Sequence, residues 1–404
     1  MPTFIAEVRD FQGNAKKEKV EAISQEQARS ILKNKYSNIG KVSKAGLDLD
    51  LSKLGEKFTT VTVKDKAVFS RQFAAMVDAG VAMVRCLGVL SDQCANPKLK
   101  KSLLDISSDV QQGTSLSESM NKHPQCFDTL YVSMVQAGEV GGVLDEVLNR
   151  LAKLLEDMNR LQNQVKAAMA YPTVVGSIAV LVFLGMTMFL IPIFADIFTD
   201  LGTELPALTK FMLWISGILR SWKIFIPIAV VIVGNFAFKQ YYKTPVGRVQ
   251  IDQFKLKMPL FGDLNEKSAV ARFCRIFGTL TRSGVPVLNS LDIVRDTSGN
   301  QVIANAVDSA KLEIQQGGMI SLALQKEEVF PLLAIQMISI GEETGELDSM
   351  MMKVADFYED EVEQAVKALT SILEPVMIVV LGGMVGTILV SMYLPMFKVF
   401  DTLG

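Results

Sequence analysis

The sequence predicts a mostly α-helical membrane protein with two duplicated cytoplasmic antiparallel helical bundles, three transmembrane helices and a small N-terminal α+β module. Apolar side chains recur three and four residues apart over long stretches, which is typical of helices that bury one face. Three runs are long, apolar and uncharged, and about 125 residues are repeated in register. The chain has 404 residues, of which 49% are hydrophobic, and its mean hydropathy is positive. This composition favours a membrane protein over a soluble enzyme.

The N-terminal module is predicted in residues 1–45. A first strand in "TFIAEVRD" is followed by a turn at Gly13 and a second strand. A helix in "SQEQARSILKNKY" and a last strand in "IGKVSKA" come next. The expected order is therefore strand–strand–helix–strand. Residues 46–65 have the character of a linker.

Three segments are predicted to cross the membrane, at residues 171–194, 222–238 and 375–397. The first and third each contain 23 consecutive uncharged residues, from Pro172 and from Pro375, which meets the roughly 20 residues that a spanning helix needs. The middle segment has only 15, but lysines and aromatic residues flank it, as at a membrane interface. All three should be helices, because backbone groups in lipid must pair internally.

The distribution of lysine and arginine predicts the orientation. Basic residues are frequent before the first span and after the second, whereas the stretch between these spans holds only Lys210 and Arg220. The positive-inside rule then places the bundles, residues 66–170 and 239–374, in the cytoplasm. The loop 195–221 and the tail 398–404 would be periplasmic. Within the loop, "ALTKFMLWISGILRSW" is amphipathic and is expected to lie along the outer surface.

The chain is predicted to be an internal duplication. The stretch "FSRQFAAMVDAGV" at 69–81 aligns with "FCRIFGTLTRSGV" at 273–285, so that Arg71 corresponds to Arg275. The register continues, with one deletion, to the end of the first and third spans. Each unit is thus a helical bundle followed by a transmembrane helix, and compact antiparallel packing is the natural arrangement.

One phrase of the repeat superficially resembles a phosphate-binding loop. It reads "SMVQAGEVGGVL" at 133–144 and "QMISIGEETGEL" at 336–347, but it contains no lysine and follows no convincing strand. A tight turn between helices is favoured, with each glutamate near the N-terminus of the next helix, where its carboxylate can cap free N–H groups. Contact with a partner protein is the alternative. The residues of this turn are Gly138, Glu139, Gly142 and Leu144 in the first copy and Gly341, Glu342, Gly345 and Leu347 in the second.

A pair of acidic residues is also repeated: Glu156 and Asp157 correspond to Glu359 and Asp360. The simplest interpretation is a solvated helix face. Contact with a basic patch on a partner protein, or a divalent cation between protomers, is the alternative.

Several residues at the membrane edges are further candidates. A carboxylate there is costly if buried and is a functional candidate for that reason, so we hypothesise that Glu374 pairs with an amine of a partner protein or with a neighbouring subunit, or else stays in water. Two glycines in "LGGMVG" would permit close helix approach in lipid. The full set is Pro172, Pro192, Glu374, Pro375, Gly382, Gly386 and Pro395.

The composition argues against other classes of function. The 41 basic and 43 acidic side chains leave no basic surplus, which disfavours a nucleic-acid binder. One histidine and four cysteines without a CxxC spacing give no support for a metal site. No cofactor-binding or catalytic residues are therefore predicted, and the chain is expected not to be an enzyme.

Taken together, the N-terminal module, the duplicated helical domains, the three spans and the repeated Gly-Glu-x-x-Gly-x-Leu phrase resemble the PilC/GspF family, the inner-membrane platform proteins of type IV pili and type II secretion systems. The resemblance covers essentially the whole chain. It implies a non-enzymatic, homo-oligomeric scaffold in the bacterial inner membrane. Its implied partners are hexameric assembly or retraction ATPases, pilins or pseudopilins, and other inner-membrane assembly proteins. On this resemblance, the basic patch that meets the repeated acids would belong to the ATPase, and the amine that pairs with Glu374 would be the N-terminal amine of a pilin.

Two rival classes remain at this point. A transporter can have duplicated halves, but it normally has more spans and several polar residues at the membrane midplane. A membrane-bound enzyme would need a clustered acid, base, nucleophile or metal set. Pilus assembly is the favoured function, the equivalent platform of a secretion system is the alternative, and transport is the less favoured third.

Overall fold

The structure is a computed structural model that describes residues 3–9, 15–22, 25–33, 38–44, 59–200, 205–259 and 261–403. A small antiparallel sheet and one helix form the N-terminal module, with β1 (Thr3–Arg9), β2 (Ala15–Glu21), α1 (Gln25–Lys33) and β3 (Asn38–Lys44). The central strand is β1: Phe4 pairs with Val20 of β2 and with Lys44 of β3. This is the predicted strand–strand–helix–strand order. Gly13 and most of the predicted linker, 46–58, lie outside the described residues.

All remaining regular elements of the described chain are helices. The first repeat consists of α2 (Val63–Asp78), α3 (Met83–Gln93), α4 (Pro97–Gln111), α5 (Leu116–Asn121), α6 (Thr129–Gly141) and α7 (Leu144–Gly185). Next come a π-helical turn (Met186–Leu190), α8 (Ile191–Asp200), α9 (Ala207–Arg220), a 3-10 turn (Trp222–Ile224), α10 (Phe225–Lys243) and α11 (Pro245–Lys257). The second repeat consists of α12 (Gly262–Arg282), α13 (Val287–Thr297), α14 (Gln301–Gln315), α15 (Ile320–Lys326), α16 (Leu332–Thr344) and α17 (Leu347–Leu403).

The duplication predicted from the sequence is confirmed helix by helix, because α2 to α7 have counterparts in α12 to α17 in the same order. Each bundle has an aromatic centre. In the first, the rings of Phe127 and Tyr131 lie 4.9 Å apart, and in the second the rings of Phe273 and Phe330 lie 4.7 Å apart. Left-handed glycines also recur at equivalent turns, in the pairs Gly80 and Gly284, Gly113 and Gly317, and Gly142 and Gly345.

The last helix of each bundle does not stop where the predicted span begins. The first runs without a break through α7, the π-helical turn and α8, from Leu144 to Asp200, and the second is α17; each has 57 residues. Pro172 and Pro375 lie inside these helices. The wider π turn comes two residues before Pro192, whose ring and missing N–H disturb the preceding turn. Bundle and span are therefore one continuous helix in each repeat.

Three helices are long and apolar enough to cross a membrane, as the sequence predicted. They are Leu144–Asp200, Trp222–Lys243 and Leu347–Phe397. No residue of the middle one, α10, is buried within the chain. Its apolar side chains are therefore available to lipid or to another protein.

The amphipathic helix α9 packs against the long helices instead of lying free along a surface. The Thr209 hydroxyl donates to the Ser391 carbonyl at 2.7 Å, and Met212 is buried beside Ile191 and Ile388. Sequence periodicity identified the apolar face of α9 but could not tell lipid from protein as its partner. Its exposed face carries the stacked rings of Phe211 and Trp214.

A buried carboxylate that the sequence analysis missed ties α11 to α14. Asp252 is 1% exposed, and its carboxylate accepts from the Gln301 amide at 2.9 Å, the Lys255 ammonium at 2.8 Å and the Tyr242 hydroxyl at 3.0 Å. Burial alone would raise its pKa, but these hydrogen bonds outweigh burial and hold the pKa below its ordinary value. The position 204 residues earlier, Asp48, lies outside the described residues.

We predict that Asp252→Asn lowers the free energy of unfolding of the second bundle by about 1–2 kcal/mol, because Lys255 and the Gln301 amide lose a charged partner. The measurement is thermal exposure of the buried Cys274 thiol to a fluorogenic thiol reagent in the detergent-solubilised chain. The pKa of Asp252 is lowered on folding, so its contribution is complete above the unfolded carboxyl pKa of about 4 and disappears as pH falls through the folded value.

The matched control is Asp263→Asn, whose side chain is 64% exposed in an i,i+4 pair with Lys267. We expect this change to leave the midpoint within about 1 °C, as for most surface pairs. Equal midpoints for the two variants would contradict the structural role of Asp252.

Candidate functional site

The repeated turn is built by two glycines with different tasks. Gly142 and Gly345 end α6 and α16 in the left-handed region, at φ 69° and 75°, where a side chain would be strained. Gly138 lies inside α6, where a Cβ atom would stand 3.1 Å from the Leu144 Cα atom. In the second copy a Cβ at the equivalent glycine would stand 2.8 Å from the Leu347 Cα atom. The sequence analysis assigned both glycines of each copy to the turn; the first of each pair instead allows close helix packing.

In the second copy the packing glycine is Gly341, and the side chain of its neighbour Glu342 points at a helix end. Its carboxylate accepts from the amides of Ile320, at 2.5 Å, and Ser321, at 2.9 Å. In the first copy the carboxylate of Glu139 accepts from the Leu116 amide at 2.6 Å and the Ser117 amide at 3.0 Å. These amides begin the short helices α15 and α5.

The glutamates therefore bind a helix N-terminus, but not the one expected. The sequence analysis placed Glu139 and Glu342 near the N-terminus of the following long helix. The structure places them against the preceding short helix, because these two side chains lie on the sides of α6 and α16 that face α5 and α15. Each glutamate and the amides that it binds are about 20 residues apart in the sequence. Tertiary packing brings them together, and no local sequence pattern predicts this contact.

The repeated acids meet the repeated arginines. Glu156 accepts from Arg71 through both oxygens, with Nε–Oε1 at 2.7 Å and Nη2–Oε2 at 2.6 Å. Glu359 accepts from the Nε atom of Arg275 at 2.7 Å, while Nη2 of the same arginine reaches Asp356 at 2.5 Å. Each repeat thus joins its first helix to its long helix by an equivalent ion pair. The signal was present in the sequence, since both members of the pair are duplicated.

These ion pairs shift the pKa values of Glu156 and Arg275. The hydrogen bond from Arg71 lowers the pKa of Glu156. Burial alone would lower the pKa of Arg275, but hydrogen bonds to Glu359 and Asp356 outweigh it and keep the pKa above its ordinary value. The charged forms of Glu156 and Arg275 are therefore favoured by their partners.

The two neighbouring acids take no part in these pairs. Asp157 lies 4.0 Å from Arg160 in an i,i+3 arrangement, and Asp360 is exposed. Within the part of the chain that the structure describes, no group of three or more histidine, cysteine, aspartate or glutamate residues is arranged to hold a metal ion.

A cavity of about 280 Å³ lies beside the buried pair. Its wall includes the apolar side chains of Met158 and Leu161 together with three cations, Lys166, Arg272 and Arg275. Burial lowers the pKa of Arg272. The sequence analysis did not single out Arg272, because its position in the first repeat is the apolar Val68.

The candidates at the membrane edges are spread along the helices and do not form one site. Glu374 is exposed on α17, one residue before Pro375. A Cβ atom added at Gly382 or Gly386 would meet no atom within 4 Å, so these glycines do not serve helix packing within the chain. Pro395 lies in the same helix, near its end.

Comparison with known proteins places the chain among secretion and pilus proteins. The family model described as type II secretion system (T2SS), protein F, matches it twice, at residues 69–192 and 273–395. The type IV pilus assembly protein PilC of Thermus thermophilus is 42% identical over all of both chains. The protein of the same name from Myxococcus xanthus is 42% identical over 98% of this chain and 94% of its own. The type II secretion system protein F of Vibrio cholerae is 29% identical over 84% of this chain and 83% of its own.

We predict that Glu342→Gln destabilises the second bundle by about 1–2 kcal/mol, because two amides at the start of α15 lose a charged acceptor. The measurement is the temperature at which Cys274 becomes reactive. Glu343→Gln is the control, since the adjacent side chain is exposed and caps no helix. If Glu342→Gln unfolds like the wild type but loses binding to a cytoplasmic partner, a capping role is wrong.

We also predict that equivalent arginines in the two repeats differ in importance. Arg275→Met should cost about 3–5 kcal/mol, because it leaves a buried carboxylate without its partner. Arg71→Met should cost at most about 1 kcal/mol, because that pair is well exposed to water. Thiol reactivity of Cys274 reports the second bundle, and that of the buried Cys86 and Cys126 reports the first. Equal losses in the two bundles would contradict this account.

Proposed function

The chain belongs to the family of type II secretion system protein F, and on that premise we propose that it is an inner-membrane platform for type IV pilus assembly. In this role it couples a cytoplasmic assembly or retraction ATPase to the insertion or removal of pilin subunits. Full-length relatives named for pilus assembly are more similar to it than the relatives named for secretion. The equivalent platform of a secretion system is the alternative.

The observation that carries the proposal is the continuity of the two long helices. Each begins inside a bundle core, where Leu148 and Val354 are buried, and continues without a loop into an apolar span. A 57-residue helix is about 85 Å long. Displacement or rotation of a bundle by a motor would therefore be transmitted directly to the membrane segment.

The two helices are also joined to each other where they leave the bundles. Arg160 of α7 reaches Glu359 at 3.5 Å, and Gln164 donates to Glu363 at 3.2 Å. Farther along, Val165 and Met169 pack with Val366 in a separate apolar cluster. These contacts support movement of α7 and α17 as one unit.

The proposed topology follows the positive-inside rule, with a cytoplasmic N-terminus and a periplasmic C-terminus. The bundles would face the hexameric ATPase, and the spans would face pilins, other inner-membrane assembly proteins and further copies of this chain. The platform would act without a catalytic centre of its own, drawing energy from nucleotide hydrolysis by the ATPase. A transporter is the weaker candidate, since it would have to enclose a polar path across the membrane with only three apolar spans.

The first experiment is deletion of the gene in its own host. We expect surface pili to disappear and protein secretion to continue, because the platform would serve the pilus machine. Loss of secretion with normal piliation would move the assignment to the secretion system. Normal piliation and secretion would overturn the proposal.

The second experiment tests transmission through the long helix. Complementation with a chain carrying Ala167→Gly, Ala168→Gly and Ala170→Gly should restore few pili, because three glycines soften α7 just before the span. Serine at the same three positions is the matched control and should restore most of them. Equal piliation with the two variants, at equal membrane levels, would show that stiffness of α7 is not needed.

A further inference from the structure

The two copies of the arginine–glutamate pair differ in what lies over them. The side chains of Arg275 and Glu359 are 7% and 6% exposed, whereas those of Arg71 and Glu156 are 43% and 42% exposed. The buried pair is covered by α7 of the first repeat, whose Arg160 reaches Glu359. Among the described residues, no equivalent contact from α17 closes the pair of the first repeat. The repeats are thus joined head to tail and not by a two-fold relation.

This head-to-tail contact has two faces. The first repeat contributes what we term its turn face, formed by the α6–α7 turn and the start of α7. The second repeat contributes its groove face, formed by α12, the α12–α13 turn and α13. The guanidinium of Arg150 on the turn face donates to the Arg282 carbonyl on the groove face. Val140 and Val143 line the same cleft as Asn289.

Duplication means that each chain also carries one unused copy of each face. The unused turn face belongs to the second repeat, where Glu343, Glu346 and Lys353 replace Val140, Val143 and Arg150. The unused groove face belongs to the first repeat, where Asp78 and Arg85 replace Arg282 and Asn289. All five of these side chains are exposed, and within the described part of the chain none makes an ion pair.

The charges on the unused faces are complementary when the intrachain contact is used as a template. Arg85 takes the place of Asn289, so it would face the two glutamates that replace Val140 and Val143. Lys353 takes the place of Arg150, so it would reach Asp78. Opposite charges would therefore meet at both positions, whereas within the chain Asn289 meets valines and Arg150 meets a backbone carbonyl.

Apolar side chains on the unused faces correspond in the same way. Ile340 replaces Ala137, and Val89 replaces Ile293, which line the cleft within the chain. Ile340 is 46% exposed and Val89 is 38% exposed. Their burial against each other would add apolar area to the charged contacts.

We propose that the turn face of the second repeat binds the groove face of the first repeat of a second copy of this chain. Such a contact is heterologous, so it closes into a ring if the rotation permits and otherwise continues as an open array. It also keeps all long helices running in one direction, as they do within the chain. This contact specifies the self-association proposed above and rests on that proposed function. If the contact is absent, the expected loss of pili on deletion of the gene is unaffected.

Cysteine cross-linking between two differently tagged copies tests the contact. One copy carries Ala79→Cys on the groove face, and the other carries Lys353→Cys on the turn face. These positions correspond to Ser283 and Arg150, whose Oγ and Nη1 atoms lie 3.5 Å apart within the chain. Cys94 is replaced by serine in both copies, and the copies are mixed in lipid nanodiscs or detergent without other proteins.

We expect a short bifunctional thiol reagent to link the mixed copies and to link neither variant to itself. A control mixture with Asp308→Cys in place of Lys353→Cys, exposed on α14 outside the turn face, should give at least about ten times less product. Linkage of Lys353→Cys chains to each other, without linkage in the mixture, would establish a two-fold contact and overturn the proposal. Absence of any cross-link would overturn it as well.

Charge exchange provides a second arm that does not depend on cross-linking. Arg85→Glu should weaken self-association, measured as the dissociation constant by mass photometry, by about tenfold through like-charge repulsion. Adding Glu346→Arg to the same chain should restore it to within about threefold. Thiol reactivity of the buried cysteines verifies that both variants are folded. Failure of the double variant to recover would overturn the proposed pairing of these faces.

Discussion

The packing of α7 into the groove between α12 and α17 is the contact on which the arrangement of the whole helical region depends. It joins the two repeats, it removes Arg275 and Glu359 from water, and it sets the two long helices side by side as they leave the bundles. A buried ion pair is stable only if its charges are well matched and hydrogen-bonded. Here the geometry that satisfies the pair is the same geometry that aligns the two spans.

Equivalent residues of the two repeats have different surroundings in the structure. Arg71–Glu156 and Arg275–Glu359 are the same ion pair in sequence and in position, but the first is partly exposed to water and the second lies under a helix. Two copies of one unit that meet head to tail must differ in this way, since each contributes a different face. The unused faces carry charged residues where the faces that meet within the chain carry other residues. Such charges would favour a contact between separate chains.

Much of the fold follows from the sequence because its signals are local. Apolar spacing predicts the helices, glycines that recur at the left-handed turns predict where they end, and uninterrupted apolar runs predict the spans. The residues of the candidate site are harder to predict from the sequence. Arg272 corresponds to the apolar Val68, and Asp252 precedes the stretch over which the repeats were aligned, so the comparison of repeats did not single out either residue. The helix that Glu139 and Glu342 cap was assigned wrongly, because its first amides lie about 20 residues away and are brought close only by packing.

The sequence by itself determined the duplication, the three apolar helices and the residues that recur in both copies, since all of these are properties of spacing and hydrophobicity along the chain. It also contained both members of the ion pair, without indicating that they meet. Only the tertiary structure decided that each bundle helix continues into its span, that α9 packs on α8 and α17, and that one ion pair is buried and the other open. These outcomes depend on which helix faces which, and burial is fixed by neighbours in space that no local pattern specifies.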